Sequence, residues 1–455
     1  MHTRSEYNWV MSPADTLLRP TARWVLGHAL PSRAMRTAGR RGDLQGQLLE
    51  HEVSASETRL QEIADAARAG GPLHRAKFVR LTASLPTVRE VLGSNDFATG
   101  VFDIEQGPFA RLGAWAKDTS QLGPLLPPSL LVSEPPSHTR YRKLVTRVFS
   151  VRAVEALRSR TEEIAAQLLD ELPSHADAHG RVDLVEHYCA LLPVTVIAEI
   201  LGVPLAERER VLEFGAAAAP SLDIGLGFRE FRHVERSLAE FRDWLASHLA
   251  ALRDHPGDDL MSRLVAEQED GVGLTDAELE ATAGLVLAAG FETTVNLLGN
   301  GAVLLREHPD QLARLRAEPE LWPNAVDEAL RLDPPVLLTG RVAVRDTTVA
   351  GERVRRGEVV TTFLAGANRD PDVFADADRF DVARSNARDH VSFSSGRHYC
   401  LGAALARMEG EVGLRALVER YPDLTLAPGR CRRRTRILRG WATLPVTLGR
   451  PAGSS

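Results

Sequence analysis

The sequence predicts a mainly α-helical protein with small β-sheets, and three observations carry that expectation. A capping box, Thr275-Asp276-Ala277-Glu278, opens a helical pattern that runs to His308, just before Pro309. At 1.5 Å per residue that run reaches on the order of 50 Å, long for a globular helix. Further helical runs lie between Pro323 and Pro334 and from Ala403 to Arg420. Strand-like alternation is confined to short pieces, such as Thr347 to Thr362 with Gly351 and Gly357 at its turns. The 455 residues are 44% hydrophobic, which supports a large core. Length alone would suggest two or three domains. No Gly/Ser linker or repeat marks a boundary, so one large domain is equally open.

Taken in order, residues 1–50 alternate short apolar pieces with Arg19, Arg23, Arg33, Arg36, Arg40 and Arg41. They read as a partly ordered surface extension rather than a membrane-touching arm. Glu57 to Ala69 has helical spacing. Phe78 to Leu81 and Thr87 to Leu92 read as a strand and a helix, and Ser94 to Pro124 as a loop with scattered aromatics. Pro135-Pro136-Ser137 starts a helix that reaches Phe149 and puts His138 and Arg142 on one face, four residues apart. Helical patterns follow over Ala153–Leu172 and Leu184–Leu201, then over 206–254 with a loop at Ser221 to Gly227. Leu438 to Leu444 reads as a final hairpin turning near Arg439-Gly440-Trp441. Arg432, Arg433, Arg434 and Arg436 read as a solvated basic cluster.

Two stretches carry chemistry. Inside the long helix an apolar run, Leu285 to Ala289, meets Gly290-Phe291-Glu292-Thr293-Thr294. An acid and two threonines in a buried helix need a reason. A threonine there bonds a carbonyl one turn back or loosens the turn, which makes room for a small ligand and water. The second stretch is Phe393-Ser-Ser-Gly-Arg-His-Tyr-Cys400-Leu-Gly402. Cys400 stands before the Ala403 helix, whose unpaired N–H groups favour a thiolate, a strong axial ligand for haem iron. Gly396 and Gly402 allow close backbone approach on either side of the sulfur. A lone cysteine reads first as a core residue, and a zinc site lacks a second ligand pair. Cys189, Cys400 and Cys431 are too few and too scattered for a disulfide framework. A net charge of −6 gives no nucleic-acid signal, and Trp24 to Leu30 is too short to span a bilayer. A cytoplasmic protein without a transmembrane segment is expected.

Phe393, Gly396, His398, Cys400 and Gly402 resemble the haem-binding signature of the cytochrome P450 family, with Ser394 where glycine is usual. Ala289, Gly290, Glu292 and Thr293 resemble its distal signature, and Glu328 with Arg331 its Glu-x-x-Arg motif. The likeness runs from about residue 55 to 447. Within the family it points to an orphan mycobacterial and actinobacterial branch. The resemblance favours one helix-rich, prism-shaped P450 domain over residues 51–455, preceded by the 1–50 extension. It implies haem b held through Cys400, with His138, Arg142, Arg341 and His398 around the propionates. It implies that Thr293 and Glu292 deliver protons to oxygen bound at the iron. Arg379 becomes the third partner of Glu328 and Arg331. Phe109, Leu112, Leu285, Val336, Leu337, Leu338 and Trp441 become pocket candidates, and 206–254 contains the lid.

The function implied is monooxygenation of a lipophilic substrate by O2, such as a polyketide or macrolide, fatty acid, terpene or steroid. The chain has no dinucleotide- or flavin-binding stretch. Electrons would therefore come from NAD(P)H through a ferredoxin reductase and a ferredoxin, docked where Arg397 and Arg407 add positive charge. A monomer is expected. A peroxide-driven peroxygenase and a non-catalytic haem sensor or carrier are the alternatives, and Glu292-Thr293 argues against both.

Overall fold

The computed structural model describes residues 15–99, 110–117, 123–266 and 273–451. The capping box forms as its sequence predicts. The Thr275 hydroxyl accepts from the Glu278 N–H at 3.4 Å, and the Glu278 carboxylate accepts from the Thr275 N–H at 2.9 Å. The helices that bear on the site are α1 (Asp15–Trp24), α2 (Leu30–Gly39), α3 (Ala110–Ala116), α4 (Ser137–Val148) and α5 (Leu191–Ile200). They continue with α6 (Arg208–Ala218), α7 (Phe228–Asp254), α8 (Asp276–Glu307), α9 (Trp322–Leu332) and α10 (Ala403–Arg420).

Helix α8 is the axis of the larger core. Leu287, Phe291, Val295, Leu297 and Leu298 on it are buried with Leu192 and Ile197 of α5 and with Leu405, Met408 and Leu414 of α10. Gly215 of α6 lets that helix cross close over Phe291, because a Cβ there would overlap the ring at 1.9 Å. A fully buried phenylalanine contributes roughly 2–3 kcal/mol, so this crossing is an anchor. Among the described residues α8 is also the helix long and apolar enough to cross a membrane, and 71% of its most apolar window is buried in the protein. It is a core helix.

The strands are short: β1 (His74–Arg75), β2 (Arg80–Thr82), β3 (Phe97–Thr99), β4 (Arg181–Asp183), β5 (Leu338–Ala343), β6 (Thr347–Val349), β7 (Glu352–Val354) and β8 (Val359–Phe363). They end with β9 (Thr425–Leu426), β10 (Cys431–Arg432), β11 (Trp441–Thr443) and β12 (Pro445–Thr447). The main sheet has the order β1-β2-β8-β5-β3, with β2 and β8 parallel. A second core under it joins Leu48, Leu60, Ile63, Leu81 and Phe363.

Three expectations change. Thr347 to Thr362 is not one strand pair, because β6 and β7 form a hairpin while β8 leaves it for the main sheet. The Arg439-Gly440-Trp441 turn is absent. Trp441 starts β11, which pairs back to β10, and β12 joins β4 and β9 instead. Residues 15–48 are built into the protein, with Met35, Ala38 and Leu48 buried, because their apolar face packs on other elements.

Candidate functional site

The cysteine loop closes on itself, with the Cys400 N–H donating to Phe393 O at 2.9 Å. The Arg407 guanidinium lies 4.6 Å over the Phe393 ring. Gly396 has φ +67°, and a Cβ there would lie 2.5 Å from Leu92 O, so only glycine fits. Ser394 is also left-handed, φ +63°, and its hydroxyl is buried without a partner. A non-glycine in that conformation costs about 1–2 kcal/mol. Gly402 departs from expectation. Its φ is −83° and an added Cβ would meet nothing within 4 Å. What it supplies is its N–H, which favours the thiolate form of Cys400.

Cys400 is exposed on its loop, while enough protein crowds its sulfur to make the thiol hard to ionise. The helix terminus was expected to lower the thiol pKa. Burial pushes it up instead, opposed by the Gly402 N–H and by Arg142 and Arg407. Loss of water outweighs partial charges at this depth. A thiolate here needs a cation beside it, and haem iron is such a cation. Among the described residues no three His, Cys, Asp or Glu side chains converge as a metal site.

His138 and His398 bring their rings to 4.4 Å, and Nε2 of each is buried without a hydrogen bond. Arg341 is 5% exposed and donates to Thr339 Oγ1 at 3.2 Å and Gly340 O at 2.9 Å. Its pKa falls to about 10, chiefly through burial. Burial also lowers Arg142, against the pull of Cys400. His398 is pushed down to about 4 by burial, then by the positive charge of His138 and Arg341. His138 moves the same way, through burial and then Arg142. Glu134 is the acid these groups share. It accepts from Arg397 at 2.9 Å and from the Thr99 N–H at 2.7 Å, and lies 3.6 Å from His398 Nε2. His138, Arg142, Gly396 and Arg397 line an open cleft of roughly 630 Å³. Two unpaired imidazole nitrogens and crowded guanidinium groups suit a ligand with carboxylates of its own, which the haem propionates are. The residues fit the group.

On α8, Leu285, Ala289 and Thr293 follow at spacings of four and share a face. Ala289 is exposed and the other two are half-buried, in a stretch that is otherwise mostly buried. Thr293 Oγ1 donates to Ala289 O at 3.0 Å, and Thr294 Oγ1 to Gly290 O at 3.2 Å. Gly290 brings α8 close to α5, where a Cβ would stand 3.2 Å from Ile197 Cδ1. Glu292 is 3% exposed and ion-paired to Arg433. Burial raises its pKa and Arg433 opposes the rise.

That pair corrects the reading of the basic cluster as solvated. Arg433 Nε also donates to Trp441 O at 3.1 Å, and Arg432 reaches Asn300 Oδ1 and Asp333 Oδ2, each at 2.7 Å. One turn after Glu292, both amide atoms of Asn296 are buried without partners, as is the Trp441 indole N–H. Both oxygens of Glu409 on α10 also lack a well-aligned hydrogen bond, although Thr294 stands beside them. Burial lifts that carboxyl well above its usual range. The sequence reading missed Arg433, Asn296 and Glu409. The spacing Glu292-Asn296-Asn300 was the available signal.

Glu328 and Arg331 are fully buried and joined by two bonds, 2.7 and 2.9 Å. Their third partner is Arg384, whose Nε donates to Glu328 Oε1 at 3.0 Å. Arg379 was expected there. Its side chain is exposed, and its carbonyl accepts from Arg331 and Arg384. The chain turns after Phe380 and presents the later arginine. The pocket candidates divide. Leu285 faces outward on α8 beside Ala289, and Val336 is half-buried in a bridge to Leu438. Leu337, just before β5, and Leu338, at its start, are buried in the second core. Trp441 is packed in the main core against Gly299, with Arg432 3.8 Å over its ring. Leu112 is 42% exposed on α3. Phe109 lies outside the described residues.

The sequence profile of the cytochrome P450 family matches residues 227–443. Cytochrome P450 140 of Mycobacterium tuberculosis is 51% identical over 434 residues, 95% of this chain and 98% of that protein. The 6-deoxyerythronolide B hydroxylase of Saccharopolyspora erythraea is 42% identical over 320 residues, 70% of this chain and 77% of that one. Among solved structures, the myxobacterial CYP267B1 in complex with myristic acid superposes with a TM-score of 0.77 at 33% identity. That match covers 88% of this chain and 98% of the other.

Proposed function

The chain belongs to the cytochrome P450 family, and from that premise we propose how its own residues carry out the family's reaction. It is a haem-thiolate monooxygenase that uses O2 on a lipophilic substrate. The haem, when bound, supplies oxygen activation and oxidation of the substrate, with the cysteine sulfur as its donor ligand. The observation that carries the assignment of roles is Cys400, exposed at the end of the glycine-bearing loop, where the Gly402 N–H and the Arg142 and Arg407 guanidinium groups favour its thiolate.

His138, Arg142, Arg341 and His398 would hold the two propionates, and Phe393 and Gly396 shape the loop that would present the sulfur. Thr293 is bonded to Ala289 O on the open face of α8, one hydroxyl rotation from donating away from the helix. Glu292 holds its proton more firmly than a free carboxylate because it is buried, and Arg433 opposes that. It therefore suits the relay of protons towards Thr293. Glu328, Arg331 and Arg384 keep the floor of the site rigid.

Electrons reach the site from NAD(P)H through a reductase and a ferredoxin. Arg397 and Arg407 are engaged internally, with Glu134 and with Asp327. Lys143 and Arg147, exposed at the rim of the cleft on α4, extend the positive face for an acidic ferredoxin. The substrate is a sizeable lipophilic molecule of polyketide or fatty-acyl type, which the hydroxylase and the myristic-acid complex among the relatives support. A single domain in the cytoplasm accords with these roles.

The test is spectral and catalytic. The reduced protein under carbon monoxide shows the red-shifted thiolate band, and Cys400→Ala loses it. With a surrogate redox pair, Thr293→Ala retains haem and accepts electrons but releases more peroxide and less product per electron pair. Unchanged coupling in that variant would remove Thr293 from proton delivery.

A further inference from the structure

The N-terminal helices lie against two segments, α3 and the connection between α6 and α7, the second of which falls in the region expected to hold the lid. Arg23 on α1 reaches both. Its Nη1 donates to Ala116 O on α3 at 2.8 Å, and its Nε to Glu235 Oε1 on α7 at 2.9 Å. Its side chain is 13% exposed and that of Glu235 10%, so this ion pair escapes most of the screening a surface pair suffers. The neighbouring Trp24 donates its indole N–H to Leu226 O at 2.8 Å and meets the Phe228 ring edge-on at 5.5 Å. Trp24 thereby closes a small separate core with Leu226, Phe231 and Val234.

A wide helical turn, Val25–Ala29, then carries His28 to the same connection. Its Nδ1 accepts from the Gly225 N–H at 3.3 Å, and its ring lies 5.1 Å from Phe231. Gly225 has φ +91°, and a Cβ there would come within 2.7 Å of Ser32 Cβ and 3.1 Å of Arg436 Nη1. Glycine is what allows the N-terminal arm, the connection and the C-terminal segment to meet. On the other side of the junction Asp223, 6% exposed, accepts the N–H groups of Arg436 and Ile437 at 3.0–3.1 Å. Leu337 N–H donates to Ile437 O at 2.8 Å, and Leu438 bridges Val336. The connection therefore sits directly over the strand segment beside the site.

We propose that α1 and α2 form a strap across the entrance, fastening the α6–α7 connection and α3 together, and that Arg23 and Trp24 set which substrates enter by their size. This rests on the monooxygenase reading and adds a specificity determinant to it. A small ligand passes a fastened entrance, whereas a bulky one waits for the connection to lift. Lifting requires the Trp24 and Arg23 bonds to break.

The test uses the full-length haem protein with two azole probes of different bulk, imidazole and trityl-imidazole, each read by its Soret shift on stopped-flow mixing. Trp24→Phe keeps an aromatic ring at this place and removes the bond to Leu226 with part of the indole's bulk, and the carbon monoxide band verifies that the fold is retained. It should speed trityl-imidazole association about fivefold, the scale of one buried hydrogen bond, and leave imidazole within about twofold. Arg23→Ala should act in the same direction, and amide exchange over residues 221–231 should rise in both variants. Equal acceleration of the two probes, or none, overturns the strap whatever the exchange shows. If neither azole shifts the unaltered protein's spectrum, the haem reading falls first, and the strap falls with it.

Discussion

The floor of the site and the helix above it handle buried charge in opposite ways. Beneath the cysteine, Glu328, Arg331 and Arg384 form a closed set. Arg331 uses its remaining donors on the carbonyls of Asn368, Ala377 and Arg379. Asp327 is equally complete, bonded by His390, Arg388 and Arg407, and its carboxyl is held down to about 2 despite burial. Above, Glu292 has Arg433, but Asn296, the Trp441 indole and Glu409 are left without well-formed bonds. A satisfied network fixes geometry, while unsatisfied buried groups want water or a ligand. The lower region is built to hold one position. The upper one retains capacity for small polar guests, which proton transfer to oxygen requires.

The widest test of that contrast is on the floor. Glu328→Gln should cost about 3–5 kcal/mol, the scale for stripping one partner from a buried pair. Arg331 and Arg384 would be left with uncompensated charge. Denaturant unfolding of the haem-free protein reads the loss, and reduced yield of the thiolate spectrum should accompany it. A loss under about 1 kcal/mol would mean the network is ornamental.

Arg433→Ala sharpens the other half, with an expected loss of about 2–3 kcal/mol near neutral pH, less than on the floor because Arg433 is partly exposed. Glu292 then has burial without its cation, so its pKa rises further. A carboxyl whose folded pKa lies above the unfolded value binds more protons when folded. Stability therefore falls as pH rises from the unfolded value through the folded one. In Arg433→Ala that decline should extend to higher pH than in the wild type, and adding Glu292→Gln should abolish it. Unfolding curves across pH 4 to 8 decide the matter. A Glu292-independent pH profile would break the comparison.

The smallest expected effect is at Ser394. Replacing it with glycine should stabilise the loop by about 1 kcal/mol, because the left-handed conformation no longer strains a side chain and the orphaned hydroxyl disappears. Thermal unfolding of the haem-free protein reads it. A loss of stability would show that the hydroxyl has a partner in solution.

Legibility in the sequence followed the same division. The capping box, α8, the glycine-bearing loop and the His138/Arg142 face were all readable, because each depends on residues close together in the chain. The third arginine of the floor was misread because turn geometry after Phe380, not spacing, chooses between Arg379 and Arg384. Arg433 was invisible for a related reason. It is 141 residues from Glu292, and an arginine among arginines looks like surface. Leu337, Leu338 and Trp441 were apolar in apolar surroundings, where lining a cavity and filling a core leave the same pattern.

The chain's thiols extend the usefulness of the distal pair beyond chemistry. Cys189 is sealed in the core and Cys400 is the cysteine proposed to hold the haem, whereas Cys431 is exposed on β10, two residues from Arg433. A maleimide fluorophore or nitroxide on the loaded protein would therefore settle at one known address. From there its emission or line shape would follow the hairpin that grips Glu292, giving a real-time reporter of that grip from a native residue.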